Sequence, residues 1–183
     1  MQKIKIFLFF ISIIFSNTLY SIDISDIKND ARDGKFDDAC NKAGAIFSEN
    51  SLSETYLNLF AFSCTEAGFL DRVFLSIVNL TQSEDARDNS LYYQTILYKK
   101  ALIVSMILDK KNYSTLSLPK TAHILDFIFT KLQNNQYSIE GENYKIKDEN
   151  FIFEVGVLQR TSKNTLYINK YRDNSLIKSY IFK

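Results

Sequence analysis

The sequence predicts an α+β protein, with helical hairpins over residues 22–134 and an antiparallel β-meander over residues 136–183. Two observations carry that reading. Up to Asn134–Gln136, apolar residues recur at spacings of three and four, the period of an amphipathic helix. Beyond that point they alternate and are β-branched or aromatic, the pattern of half-buried strands. Composition supplies a third observation. The 183 residues are 46% hydrophobic and 23% charged, which suits one domain, or a domain with a small appendage.

Residues 1–21 read as a secretory signal. Lys3 and Lys5 give a positive start, and Ile6 to Phe15 is apolar except for Ser12. That run is about half the roughly 20 residues that a bilayer-spanning helix needs, so it reads as a cleaved signal and not an anchor. Ser16, Asn17 and Thr18 lead to a cut after Ser21, although Leu19 stands where a small residue is usual. No cysteine follows the run to accept a lipid. With the Ile, Phe, Tyr, Lys and Asn richness of AT-rich coding, this points to a bacterial protein that is periplasmic or secreted, with no transmembrane anchor after cleavage.

The helical elements follow in order. Asp23 suits the cap of a first helix running to Arg32. Asp33-Gly34 makes a turn, and a second helix covers Phe36 to Phe47. Ser51-Leu52-Ser53-Glu54 is a capping-box sequence opening a third helix that extends to Ala67. Gly68 breaks it, and a fourth helix runs from Leu70 to Leu80. Thr81 to Asn89 is polar and reads as a linker. A long helix then spans Ser90 to Leu108, with Tyr93, Ile96, Leu97, Ala101, Val104 and Leu108 as its apolar stripe. Asp109 to Ser117 is a loop, and Pro119 suits the first turn of a last helix ending near Leu132.

The strands follow. Tyr144 to Lys147, Phe151 to Gln159, Thr165 to Tyr171 and Ser175 to Phe182 make three or four antiparallel strands, joined by Asp148-Glu149-Asn150, Thr161 to Asn164 and Arg172-Asp173-Asn174. Phe151, Phe153, Val155 and Val157 share one face, which needs a cover. The last helix offers one through Ile124, Phe127, Ile128 and Phe129.

The helical half also repeats. Gly34-Lys35-Phe36-Asp37-Asp38-Ala39 and Gly68-Phe69-Leu70-Asp71-Arg72-Val73 lie 34 positions apart and match in glycine, apolar residue, aspartate and small or branched apolar residue. Ala43 then pairs with Ile77, and Ile46 with Leu80. A helix–turn–helix of this period with this turn resembles the tetratricopeptide repeat. Leu57, Phe60, Ala61 and Cys64 fall on that family's inner positions in the second copy, while Asp23 stands opposite Leu57 in the first. A third copy is out of register, its turn falling at Lys111-Asn112-Tyr113 without a glycine. The resemblance implies stacked hairpins with a groove for peptides. An unrelated bundle of helical hairpins accounts for the same periodicity.

Candidate chemistry is sparse. The 22 basic and 21 acidic side chains leave a formal charge of +1, with no basic excess to cover a phosphate backbone, so nucleic-acid binding is not expected. One histidine and two cysteines do not make a conventional structural zinc site, and no glycine loop for phosphate occurs. No metal, cofactor or catalytic residue is therefore assigned. Cys40 and Cys64, an even count in an oxidising compartment, read as a disulfide, which the antiparallel run of their helices about a turn near Asn50 permits. The alternative is two buried free thiols. His123 reads as a satisfied or solvent-facing helix histidine and not as a catalytic base. Asp37-Asp38, Glu84-Asp85 and Asp148-Glu149 fall at turns or helix starts, where negative charge is solvated or favoured.

The function these features predict is a non-enzymatic, exported interaction or scaffold protein that binds another envelope protein through its helical repeats. A small-ligand or lipid binder, with a pocket between the last helix and the sheet, is the second class. A hydrolase is the third, and it requires His123 or a carboxylate pair in a cleft with a shifted pKa.

Overall fold

The computed structural model describes residues 22–50, 53–160 and 163–183; the expected signal segment and its cut after Ser21 lie outside them. Helices α1 (Ile24–Arg32), α2 (Phe36–Ala45), α3 (Phe47–Asn50), α4 (Glu54–Glu66), α5 (Leu70–Ile77), α6 (Glu84–Leu108) and α7 (Ile124–Gln133) come first. Strands β1 (Ser138–Glu140), β2 (Asn143–Asp148), β3 (Phe151–Arg160), β4 (Lys163–Arg172) and β5 (Ser175–Phe182) form one antiparallel meander in sequence order. The α+β layout expected from the sequence is the observed one.

Two glycines make the hairpin turns. Gly34 has φ +76° and Gly68 φ +78°, and both close a Schellman motif. At the first, the Gly34 and Lys35 N–H groups donate to Ala31 and Asp30 carbonyls at 3.2 and 2.8 Å. At the second, Gly68 and Phe69 donate to Thr65 and Cys64 at 3.1 and 2.8 Å. The same bonds recur at the end of α7, where Asn135 takes φ +55°. Ala39, Ala43 and Ile46 are buried, and so are Val73, Ile77 and Leu80, their matched positions in the second hairpin.

Several boundaries differ from expectation, each for a local reason. The second helix breaks at Ile46, so α2 and α3 are separate. At the start of α4, Ser51 lies outside the described residues, and Ser53 is the N-cap, its hydroxyl accepting from Tyr56 N–H at 3.4 Å. The Glu54 carboxylate accepts from Gln82 and Ser83 N–H at 2.8 and 3.0 Å, and so anchors the next hairpin. The expected linker 81–89 is largely helical: Ser83 caps α6, accepting from Ala86 N–H at 3.1 Å, and Glu84 and Asp85 suit its positive end. The last helix begins at Ile124 and not at Pro119, with His123 as its N-cap. Pro119 sits in the preceding connection, where its carbonyl accepts from Lys99 Nζ at 2.6 Å. Lys99 is only 2% exposed and forms an ion pair with Asp126 of α7. This pair ties α6, α7 and the connection together.

The sheet has five strands where three or four were expected. β1 is three exposed residues, too short to show alternation. The covered face carries Phe151, Phe153, Val155 and Val157 as expected, joined by Tyr144, Ile146, Leu166, Ile168 and Phe182. α7 is not its sole cover. Phe127 of α7 meets Phe153 at 4.9 Å and Lys131 pairs with Asp148 at 2.8 Å, while on the α6 side Lys110 Nζ donates to the Tyr144 hydroxyl at 3.1 Å. The end of β5 rests on the α4–α5 turn, where Lys183 N–H donates to the Gly68 carbonyl at 2.8 Å. Buried residues of both halves join in one core.

Candidate functional site

The two cysteines meet. Cys40 of α2 and Cys64 of α4 are fully buried and disulfide-bonded, with Cα atoms 4.8 Å apart. The bond links the first hairpin to the second. Beside it, the Tyr56 hydroxyl donates to the Ala43 carbonyl, and burial pushes its pKa up to about 12. Tyr93 donates to Asn58 Oδ1 at 2.9 Å. These tyrosines serve packing.

The apolar stripe expected on α6 divides. Tyr93 and Ile96 enter the core with Leu102, Ile103, Met106 and Ile107. Leu97, Val104 and Leu108 pack half-buried against that core and, with the exposed Ala101, also line an open groove beside Leu70 of α5, of about 480 Å³. The groove continues through Leu97 into a second depression of about 780 Å³ between α5 and α6, lined by Phe74, Ile77, Val78, Leu91 and Tyr98. Leu91 is 61% exposed and Phe74 58%. Large apolar side chains gathered in one concave strip mark an interaction surface more often than scattered ones do.

His123 lies elsewhere, in a cleft of about 530 Å³ where α7 and β5 meet the turn between α1 and α2. Its Nδ1 accepts from Leu125 N–H at 3.3 Å, and its ring meets Phe182 edge-on at 5.5 Å. Burial lowers its pKa to about 4. A ring so weakly basic, with Nδ1 already engaged, is a poor general base at neutral pH. Glu66, the last residue of α4, lines the same cleft, and burial raises its pKa while Lys178 opposes the shift. Sequence reasoning did not single out Glu66. The signal was there: a carboxylate closing a helix faces the negative end of its dipole.

The acidic pairs do not converge. Asp37 and Asp38 lie in the first turn of α2, Glu84 and Asp85 in that of α6, and Asp148 pairs with Lys131 beside the β2–β3 turn. Among the described residues, no group of three or more His, Cys, Asp or Glu is placed to hold a metal ion, and no helix is long and apolar enough to cross a membrane. Comparison of the chain with protein-family models, curated proteins and solved structures finds no match.

Proposed function

We propose that this is an exported, non-enzymatic interaction protein of the bacterial envelope, and that it binds an amphipathic helix of another envelope protein in the α5–α6 groove. The observation that carries this reading is the continuous apolar strip from Phe74 and Leu91 to Leu108. From Ser90 to Leu108 it follows α6 for roughly 27 Å at 1.5 Å per residue, about five turns of a partner helix. Its lining is mostly neutral, which fits an apolar helix face with anchors every three or four residues and not a charged ligand. The resemblance to tetratricopeptide hairpins supports peptide capture. The Cys40–Cys64 disulfide supports an oxidising compartment.

Photo-crosslinking in intact cells tests it, with the reactive group at Phe74 or Leu91 and a control at Lys28 on α1. One adduct should form from both groove positions and not from Lys28, should disappear in a Leu97→Asp background, and should map to an amphipathic helix of the partner. Equal labelling from Lys28, or adducts that survive Leu97→Asp, would sink the reading.

A further inference from the structure

The cleft around His123 is separate from the groove, and its chemistry is of another kind. Its volume, about 530 Å³, lies within the roughly 300–1,000 Å³ typical of small-molecule pockets. Aromatic rings of Phe36, Phe127, Tyr180 and Phe182 form much of its wall. Three polar groups reach it from three different elements: Glu66 from α4, His123 from the start of α7, and Lys178 from β5.

Each of the three keeps hydrogen-bonding capacity beyond the contacts it makes in the fold. Among the described residues, Glu66 makes no salt bridge, and its one charged influence is Lys178. Glu66 is exposed over much of its surface, yet partial burial raises its pKa against the pull of Lys178, and it sits at the unfavourable negative end of α4. Lys178 Nζ rests over the Tyr180 ring at 4.6 Å. His123 takes a backbone N–H on Nδ1, so the neutral ring carries its proton on Nε2, a donor left over. Side chains that break a local rule without repaying it in stability mark functional positions. The cleft thus offers a carboxylate acceptor in no direct salt bridge among the described residues, two donors suited to a carboxylate, and an aromatic wall.

We propose that the cleft binds a small apolar zwitterion of the α-amino-acid type. Its ammonium pairs with Glu66, its carboxylate takes the Lys178 ammonium and the His123 Nε2–H, and its side chain lies against Phe36, Phe127 and Phe182. The positive end of α7, capped by His123, adds to the carboxylate side. The aromatic wall adds to the ammonium side. The ligand satisfies both signs at once, which a simple amine, acid or hydrocarbon does not.

Calorimetric titration of the full protein at neutral pH tests this with three probes of one shape: L-phenylalanine, 2-phenylethylamine and 3-phenylpropanoate. L-phenylalanine should saturate and bind at least about tenfold tighter than either single-charge analogue, because each analogue lacks one of the two hydrogen-bonded ion contacts. The surface change Glu66→Gln should weaken L-phenylalanine and 2-phenylethylamine about tenfold and leave 3-phenylpropanoate unaltered. Absence of saturation by L-phenylalanine up to about 10 mM, equal affinity for the three probes, or indifference to Glu66→Gln overturns the proposal. Each reads the cleft alone, so failure here leaves the groove standing, and the reverse holds.

Discussion

The turn at Gly34 and the turn at Gly68 are nearly the same piece of backbone in two different places. Their φ angles agree within 2°, and the two hydrogen bonds of each close on the same relative positions. Around Gly34 nothing lies within 4 Å of where a Cβ would sit. At Gly68 a Cβ would stand 2.0 Å from the Ile181 carbonyl oxygen, because the end of β5 crosses the turn. The similar segments around Gly34 and Gly68 thus take one local conformation twice, while the use of that conformation depends on what distant chain arrives. At Gly34 the glycine supplies only a left-handed φ. At Gly68 it also supplies space.

The largest test of this contrast is Gly68→Ala set against Gly34→Ala. The first combines left-handed strain with a clash against backbone that cannot swing aside, and should cost about 4 kcal/mol in urea unfolding. Equal losses at the two sites would refute the difference described. Next is the disulfide, which ties the hairpins that carry the two turns. Replacing Cys40 and Cys64 together by alanine should lower stability by about 3 kcal/mol, measured against the oxidised parent by denaturant titration. If reduction shifts the midpoint of the parent as far as the double replacement does, the loss belongs to the bond and not to the lost side-chain volume.

Third is pH, which probes the β5 side alone through His123 and its contact with Phe182. His123 has a folded pKa depressed to about 4 from an ordinary 6.5. Its contribution is therefore complete above pH 6.5 and is lost as pH falls towards 4, since the unfolded chain takes up the proton first. The loss should be on the order of 3 kcal/mol. Glu66 and Lys178 face the same cleft. Glu66, raised above its unfolded value, works in the opposite sense, adding stability at low pH that fades as pH rises through its folded pKa. His123→Asn keeps an N-cap acceptor without the titration, and should flatten the pH 6.5 to 4 slope of urea stability. An unchanged slope would remove His123 as its origin. The smallest effect is Gly34→Ala itself, about 1 kcal/mol from left-handed φ alone, with the melting curve otherwise unaltered.

The same contrast between local and distant causes decides what the sequence discloses. The hairpin turns, the four long strands and the inward face of β3 are legible because glycine φ, helical spacing and strand alternation act over a few residues. The cysteine pair is legible because two short helices flank one turn. α6 is harder. Its apolar stripe is broad: Leu97, Val104 and Leu108 pack half-buried against the core while also lining the groove, and periodicity alone does not show that Ala101 beside them is exposed. Lys99 carries no local sign of burial, because its partners Asp126 and the Pro119 carbonyl come from beyond a long connection. Pro119 is compatible with a helix start, yet the cap at His123 places that start later. For the candidate sites, sequence reasoning names His123 but neither Glu66 nor Lys178. Their meeting requires α4, α7 and β5 to be assembled first.

The contact between β5 and the Gly68 turn also orders events in time. Helical hairpins need only short loop closures and are expected to form early, whereas Gly68 and Ile181 are separated by 113 positions and are expected to meet late. A contact made after the rate-limiting barrier governs how fast the molecule comes apart more than how fast it assembles. Gly68→Ala should accordingly steepen the loss of the native signal in unfolding jumps while leaving the refolding limb nearly where it was. The seal between sheet and helices acts as a latch on lifetime, set by the arrival of one strand at one glycine.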